Sequence, residues 1–514
     1  MVTRCSFTRL GALVVSIILL MPFLTISSSP TTRTATIDDT QNTKAQVASF
    51  GGCSVLLNSS TFGSLQDICV DSLGYLYITG STTQPLFPIV DGYDDTFNGA
   101  HDCFLVKMNG TDGSILYSTF LGGSGIDYGS SICVDEAGCI YVLGLSNSED
   151  FPLVNPYDSN ITVASQYFLT KFDSTGQTLI YSTFFGPEFR EGFNSADFDA
   201  LAVDEEGCAY LVGSTTTPNV TIVNAFDSTY NGGTDCYILK LNPTGTEIVY
   251  ASFYGTQYTD SGSDLYYTEN GTLYVSGTTS IYPSEGYYVS PGPDYGGHCF
   301  VLKISRDGTL LHSGDVKSPS FFPHTSIVVD SEYSIYLLDD DYSAWLFAIY
   351  KLDVTFNQKL YTKVLGGSNF TQASAFSIDS EDRIYVAGRT FSKDFVRNST
   401  GLSSIQYSSN SYSGEDDCFL VCMNSAGGVI FSNLFGSIYR EYTQAIAVVD
   451  DGFVYLAGSS VESQPSYNGY YSSFILSIHI PKLNTSSFLQ LDLILVGISG
   501  FVILALVIII IRRR

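Results

Sequence analysis

The stretch ICVDEAGCIYVLG at residues 132–144 decides the fold, because the chain contains seven copies of its pattern. Each copy has an apolar run, a short acidic turn and an aromatic run that usually ends in glycine. The other copies are ICVDSLGYLYITG (68–80), LAVDEEGCAYLVG (201–213), LYYTENGTLYVSG (265–277), IVVDSEYSIYLLD (327–339), FSIDSEDRIYVAG (376–388) and IAVVDDGFVYLAG (446–458). Self-similarity of this kind indicates a repeat architecture.

Two further apolar runs follow most copies, such as FLTKFDSTG (168–176) and LIYSTFFG (179–186). Alternating apolar and polar residues between Gly, Asn and Asp turns predict antiparallel hairpins. Four strands in each of seven units predict an all-β fold, a seven-bladed β-propeller of four-stranded antiparallel blades.

The two ends of the repeat region complement each other. The seventh unit stops after its third run, FILSIHI at 474–480, whereas SVLLNSSTFG at 54–63 resembles an isolated fourth run. We therefore expect the N-terminal strand to pair with residues 474–480 and to close the ring. Closure would leave no open sheet edge between the first and last blades.

The stretches YSTFLGGSGIDYGSSICVDEAGCIYVLG (117–144) and DSTYNGGTDCYILKLNPTG (227–245) resemble the bacterial and archaeal seven-bladed propeller repeat family, called SBBP repeats. The resemblance covers roughly residues 49–480, which we take as the propeller. It implies the fold but no particular activity, because the family is defined by its scaffold and hosts no single reaction.

The N-terminal end predicts export. Arg4 and Arg9 precede an apolar run at 10–26, and three serines follow at 27–29. This order is typical of a secretory signal peptide, here residues 1–29, with an uncleaved anchor as the alternative. Residues 30–48 would then form a Ser/Thr-rich linker.

The C-terminal end predicts a membrane anchor. An uncharged run begins at Leu493 and ends at Ile511, and three arginines occupy 512–514. The run is long enough for a transmembrane helix, which we place at 491–511 after a short tether at 481–490. Arginines at the chain end favour a cytoplasmic tail, so we expect a single-pass protein of the cell membrane with its propeller outside.

The charge balance excludes one class of partner. Asp and Glu number 51 against 23 Lys and Arg, and such a surface repels nucleic acid. Eight N-glycosylation sequons fit a glycosylated exterior. They lie at Asn58, Asn109, Asn160, Asn219, Asn270, Asn369, Asn398 and Asn484.

Long insertions separate the second and third strands of most units, at 81–102, 145–167, 214–235, 278–298 and 389–417. Strand alternation places these insertions on one face of the ring, and binding residues concentrate on such loops. We expect a glycan or an envelope protein to bind on this long-loop face. The alternative is that the pairs Phe87-Pro88 and Phe151-Pro152 only fix each insertion to its blade.

Acidic residues recur at the connections between blades. Asp127, Glu191, Asp260 and Glu441 share one repeat position, and by symmetry they would surround a mouth of the central channel. Carboxylate oxygens suit hard cations, so the ring hypothesis predicts calcium as a cofactor. The alternative is that each acid caps its own loop by accepting backbone N–H bonds.

Other acids and the cysteines have structural interpretations. Aspartates before the tight turns are typical of turn chemistry. These are Asp71, Asp135, Asp204, Asp330 and Asp379. We interpret the run at 339–341 as a solvated turn. Ten cysteines fall in the exported part, and they either pair as disulfides or pack as buried thiols.

The residues show no nucleophile elbow, phosphate loop or zinc spacing. We therefore expect a recognition or adhesion scaffold on the cell surface. The alternatives are an extracellular polysaccharide hydrolase or lyase with carboxylates at the propeller mouth, and a structural envelope protein.

Overall fold

The computed structural model describes residues 48–50, 53–160, 165–189, 196–280, 297–318, 324–341, 346–395, 416–436, 440–461 and 471–480. Within these ranges the chain forms 29 strands in seven antiparallel sheets. The predicted all-β, seven-bladed propeller is thus confirmed.

The chain begins with two strands that belong to the last blade, and blades 1 to 3 follow in order. The first two are β1 (Ala48–Phe50) and β2 (Cys53–Ser59). Blade 1 contains β3 (Ser64–Val70), β4 (Tyr75–Thr82), β5 (Asp102–Asn109) and β6 (Ile115–Leu121). Blade 2 contains β7 (Asp127–Val134), β8 (Ile140–Ser146), β9 (Ser165–Phe172) and β10 (Leu179–Phe189). Blade 3 contains β11 (Ala196–Val203), β12 (Ala209–Thr215), β13 (Asp235–Leu241) and β14 (Ile248–Tyr254).

The remaining blades use the same four-strand plan. Blade 4 contains β15 (Thr259–Thr268), β16 (Thr272–Ser280), β17 (His298–Ser305) and β18 (Leu310–Lys317). Blade 5 contains β19 (His324–Val329), β20 (Ile335–Asp341), β21 (Leu346–Leu352) and β22 (Lys359–Gly366). Blade 6 contains β23 (Thr371–Ile378), β24 (Ile384–Thr390), β25 (Asp417–Met423) and β26 (Val429–Phe435). Blade 7 adds β27 (Arg440–Val448), β28 (Phe453–Val461) and β29 (Tyr471–His479) to β1 and β2.

The N-terminal strand closes the ring, as the sequence predicted. The sheet of blade 7 has the order β1-β2-β29-β28-β27, and Ser54 and Asn58 of β2 lie opposite Ser477 and Phe474 of β29. The strand β1 was not predicted. It pairs with the outer edge of β2 and gives blade 7 a fifth strand.

The tight turns confirm the expected role of the repeated aspartate. Asp71 Oδ1 accepts N–H bonds from Leu73 and Tyr75, each at 2.9 Å, and Oδ2 accepts the Tyr77 hydroxyl at 3.0 Å. The same hydroxyl-to-carboxylate bond recurs at Asp135, Asp204, Asp330 and Asp379. One side chain thus fixes the turn and the following strand.

The prediction of a solvated turn at 339–341 is wrong, because the first two residues are not exposed to solvent. Asp339 and Asp340 lie in β20 and are almost completely buried. Ser318 and Tyr350 donate hydroxyl bonds to Asp339 Oδ2 at 2.7 and 3.2 Å. These partners come from neighbouring strands, so the three consecutive acids gave no sign of them.

The core lies between neighbouring blades. Leu65, Ile78 and Phe104 of blade 1 pack in one cluster with Ala445 and Ile475 of blade 7. All nine cysteines whose side chains the structure describes are free thiols, as the buried-thiol alternative predicts. They are Cys69, Cys103, Cys133, Cys139, Cys208, Cys236, Cys299, Cys418 and Cys422.

The predicted signal peptide at 1–29, most of the linker and the predicted transmembrane helix at 491–511 lie outside the described residues. A search of the described part of the chain found no helix able to cross a bilayer.

Candidate functional site

The long insertions of blades 1 to 3 fold back over the outer edge of their own blades. We call them straps: residues 83–101, 147–160 and 216–234. Val90 of the first strap exchanges two backbone hydrogen bonds with Ser118 of β6, and Phe120 N–H donates to Asp94 O at 3.1 Å. Blade 2 repeats this geometry with Val154, Ser182, Phe184 and Asp158, and blade 3 with Val223, Ala251, Phe253 and Asp227. Each strap therefore covers an otherwise open strand edge.

One residue type reverses the direction of each strap. Asp91, Asn155 and Asn224 follow the paired valines and have φ angles of 47°, 46° and 46°. Aspartate and asparagine tolerate this left-handed conformation better than other non-glycine residues. The motif Val-Asp/Asn in the insertions is therefore the sequence signal of a strap, although the insertions alone predicted only loops.

The phenylalanines of the Phe-Pro pairs fix the straps to their blades, as the alternative interpretation held. Phe87 is buried, and its ring centroid lies 5.0 Å from that of Phe104. Phe151 lies 4.5 Å from Phe168 in the same way. These rings belong to the core and do not face a ligand.

A second aromatic position in the straps does face solvent. Tyr93 is 39% exposed and Tyr157 is 37% exposed, and Phe226 occupies the same position in blade 3, half-buried. The Tyr93 ring lies 6.0 Å from Phe172 of the next blade, edge to face. The outer surface of the three straps, called here the strap wall, therefore presents aromatic rings in fixed positions, each followed by an aspartate.

The sequence-predicted acids lie at different blade junctions. Asp127 Oδ2 accepts bonds from Gly123 N–H at 2.9 Å and Ser148 Oγ at 2.7 Å. Asp260 Oδ2 accepts bonds from the backbone and hydroxyl of Thr256 at 2.6 and 2.9 Å. Glu441 is also buried, and its N–H donates to Asp416 O at 3.3 Å. Glu191 lies outside the described residues.

Asp127 and Asp260 each meet a second acid that the sequence did not single out. Asp127 N–H donates to the carbonyl of His101, beside Asp102, and Asp260 N–H donates to that of Thr234, beside Asp235. Burial raises the pKa of Asp102 and of Asp235 to about 6, and the charge of the neighbouring acid adds to the shift. The dipeptide Asp-Cys at the start of β5, β13 and β25 was the available signal.

The acids at these junctions form hydrogen bonds with their own loops. Asp102, Asp127, Asp235 and Asp260 have no exposed surface, so a substrate cannot reach them in this conformation. No group of three or more His, Cys, Asp or Glu side chains suited to a metal ion occurs among the described residues. Calcium binding at Asp127, Glu191, Asp260 and Glu441 stays a prediction.

Two further acids, both half-buried, connect neighbouring blades. Asp67 Oδ2 accepts bonds from Ser131 Oγ and Ile132 N–H of blade 2, at 2.8 and 2.9 Å. Asp264 Oδ2 of blade 4 accepts the N–H of Ile327 of blade 5 at 2.9 Å. Burial raises the pKa of Asp67 to about 6 and that of Asp264 to about 7. Both follow a β-bulge in the first strand of their blade, which sequence reasoning missed.

Comparison with solved structures returns distant similarities. Hydrazine synthase of Kuenenia stuttgartiensis has 8% identity and a TM-score of 0.40, over 78% of this chain and 96% of that chain. The phage phi92 endosialidase has 11% identity and a TM-score of 0.38, over 84% and 69%. Polysaccharide lyase Uly1 has 9% identity and a TM-score of 0.42, over 80% and 89%.

Sequence comparison gives the family. A search of curated proteins found no significant match. The family description "SBBP: Beta-propeller repeat" matches residues 116–152, which run from β6 through β7 and β8 to Phe151-Pro152. Residues 116–152 therefore match an SBBP β-propeller repeat, and the chain around them folds as a seven-bladed propeller.

Proposed function

We propose that this propeller is a recognition scaffold and that the strap wall of blades 1 to 3 binds a glycan chain. The observation that carries the proposal is the repeated, half-exposed aromatic position at Tyr93 and Tyr157. Tyrosine offers an apolar ring for stacking and a hydroxyl for hydrogen bonding, at a small entropic cost when the ring is already fixed. A polymer of repeating units suits a wall with a repeating contact.

The aspartates beside these rings support the same ligand class. Asp94 Oδ1 accepts the N–H of Thr96 at 2.9 Å, and Asp158 Oδ1 accepts that of Asn160 at 3.0 Å. The Thr96 hydroxyl and the Asn98 side-chain amide also donate to Asp94, at 2.5 and 3.2 Å, and the Asn160 side-chain amide donates to Asp158 at 3.5 Å. Both carboxylates are therefore held in place, and their Oδ2 atoms keep acceptor capacity for a hydroxyl donor. A neutral glycan supplies such donors, whereas the acidic surface disfavours an anionic polymer.

The hydrolase or lyase alternative requires two acids that reach a substrate. The carboxylates with raised pKa values lie in the blade junctions and are buried. This burial favours recognition over catalysis.

We also propose that the scaffold is exported and held at the cell surface by residues 491–511. The sequence supports this through the apolar run and the terminal arginines. The position of the last strand fits a membrane on the tight-turn side, because Ile480 N–H donates to the carbonyl of Gly452 in the last tight turn.

A binding screen tests the recognition proposal. The full chain in detergent micelles is titrated with purified neutral polysaccharides, and we expect at least one to bind. Tyr93→Ala with Tyr157→Ala should then weaken binding by roughly tenfold or more. Tyr333→Ala, a similarly exposed tyrosine in a tight turn of blade 5, is the matched control and should leave affinity unchanged. Equal binding by both variants, or no binding across the panel, would remove the strap wall as a glycan site.

A further inference from the structure

The outer edge of blade 5 differs from the covered edges of blades 1, 2, 3 and 7. The connection between β20 and β21 is residues 342–345, too short to form a strap. No described residue pairs with the outer edge of β22, the last strand of that blade. Open edges of this kind are templates for an added strand.

An apolar side chain of β22 is exposed to solvent, as expected for an edge that another chain covers. Val364 is 55% exposed, whereas Leu360, at 47%, occupies a position that is exposed under a strap as well, as Leu116 of β6 is at 41%. Phe120, the residue of β6 equivalent to Val364, is 1% exposed because the strap of blade 1 lies over it. The sequence KLYTKVLGG at 359–367 aligns with ILYSTFLGG at 115–123, so blade 5 keeps the repeat strand, and no segment among the described residues covers it.

The straps show how such an edge is paired. In blade 1, Ser118 and Phe120 direct their outward backbone groups to Val90 and Asp94 of the strap. Thr362 and Val364 occupy the same register on β22. An extended segment could therefore form the same hydrogen bonds on blade 5, the geometry of β-strand addition.

Charge identifies the kind of segment. The Thr119 position of β6, whose hydroxyl accepts the Asp94 N–H at 2.8 Å, is Lys363 in β22. A β-bulge places Lys359 on the opposite face, 4.2 Å over the Tyr350 ring, so Lys363 is the basic side chain at this position, in a protein of net charge −28. A second copy of this chain would bring one acidic surface against another, which is unfavourable, whereas an acidic segment would meet Lys363.

We propose that the outer edge of β22 binds an extended, acidic segment of a partner protein, which adds as a fifth strand in the position that a strap occupies on blades 1 to 3. The segment would carry an apolar residue opposite Thr362 and an acid next to Lys363. This surface is separate from the strap wall, so the test of one proposal does not decide the other.

A labelled peptide with the sequence of the first strap, residues 86–98 (LFPIVDGYDDTFN), is the probe, because it has the required pattern. It is titrated against the full chain in detergent micelles by fluorescence anisotropy. We expect saturable binding that Lys363→Glu weakens about five- to tenfold. Lys317→Glu makes the same charge change on the exposed outer strand of blade 4 and should have little effect.

A second variant separates strand addition from charge attraction. Val364→Pro removes the outward N–H at an edge position that tolerates proline, so peptide binding should be lost while the melting temperature stays near that of the wild type. Failure of the peptide to bind, or equal binding by the Lys363→Glu and Lys317→Glu variants, would overturn the proposal. Retained affinity in a folded Val364→Pro variant would overturn it as well.

Discussion

Five aspartates between the blades have pKa values raised chiefly by loss of contact with water: Asp67, Asp102, Asp127, Asp235 and Asp264. A raised pKa means that the folded state favours the protonated carboxyl more than the unfolded state does. The resulting stability is fully present below the unfolded pKa near 4 and is lost as the pH rises through 6 to 7. Folding should therefore become less favourable between pH 5 and pH 7.5.

Asp235 offers the clearest test of this pH response. Its Oδ2 accepts the Asn231 N–H, whereas the buried Oδ1 has no hydrogen-bond partner in the described part of the chain. Asp235→Asn places an amide where the protonated acid would be, so it should raise the melting temperature at pH 7.5 and reduce its dependence on pH. The free energy of unfolding changes by at most about 1.4 kcal/mol per pH unit through this one carboxyl.

Calorimetry between pH 5 and pH 7.5 measures that slope. Asp95→Asn removes the same charge from an exposed strap position and serves as the control. An unchanged slope in Asp235→Asn would show that this carboxyl is already ionised in the folded protein at pH 5.

At the level of strands and turns, the repeat in the sequence was enough to predict the structural features that recur from unit to unit. The turn at Asp71 and the closing pairs between β2 and β29 follow from patterns local to one unit. Asp102 and Asp127 are 25 positions apart and belong to different blades, so their meeting depends on how the blades dock. A single unit contains no signal for that contact.

The straps also combine a feature that the sequence predicts with one that it does not. The sequence marked the insertions, but a loop of about twenty residues has many conformations, and only pairing with the outer strand selects one. Val90 and Asp94 encode that pairing through backbone atoms, which any residue could supply. The clear departure in the sequence was blade 5, which lacks the long insertion and whose strand β22 has no partner on its outer edge within the described ranges.

At the scale of the molecule, the position of Ile480 sets the expected orientation. It ends the described chain beside the tight turn at Gly452, and about a dozen residues separate it from the apolar run. Fully extended, they reach on the order of 40 Å, too short to pass around the ring comfortably. The tight-turn face should therefore lie toward the membrane, and the straps should remain accessible from outside.

Labelling of intact cells with a membrane-impermeant maleimide tests this orientation. Asn219→Cys lies on the third strap and Leu73→Cys in a tight turn, and both positions are exposed in the isolated chain. The first should react faster than the second on cells, although both react alike in detergent. Faster labelling at position 73 on cells would reverse the orientation.

Ring closure by β2 is the central claim about the whole molecule, because it joins the first strands of the chain to the last blade. Ser54 and Ser477 are paired residues on adjacent antiparallel strands, close enough for a disulfide. In a Cys53→Ser background, Ser54→Cys with Ser477→Cys should cross-link under mild oxidation. Ser54→Cys with Ser473→Cys, about 13 Å out of register, should not.

The direct measurement is a non-reducing gel after limited proteolysis of the oxidised chain. We expect the N- and C-terminal fragments to stay joined only in the Ser54→Cys, Ser477→Cys variant, and a reducing agent should separate them. Fragments that separate without reduction, or that stay joined equally in the out-of-register pair, would contradict a ring closed by its N-terminal strand.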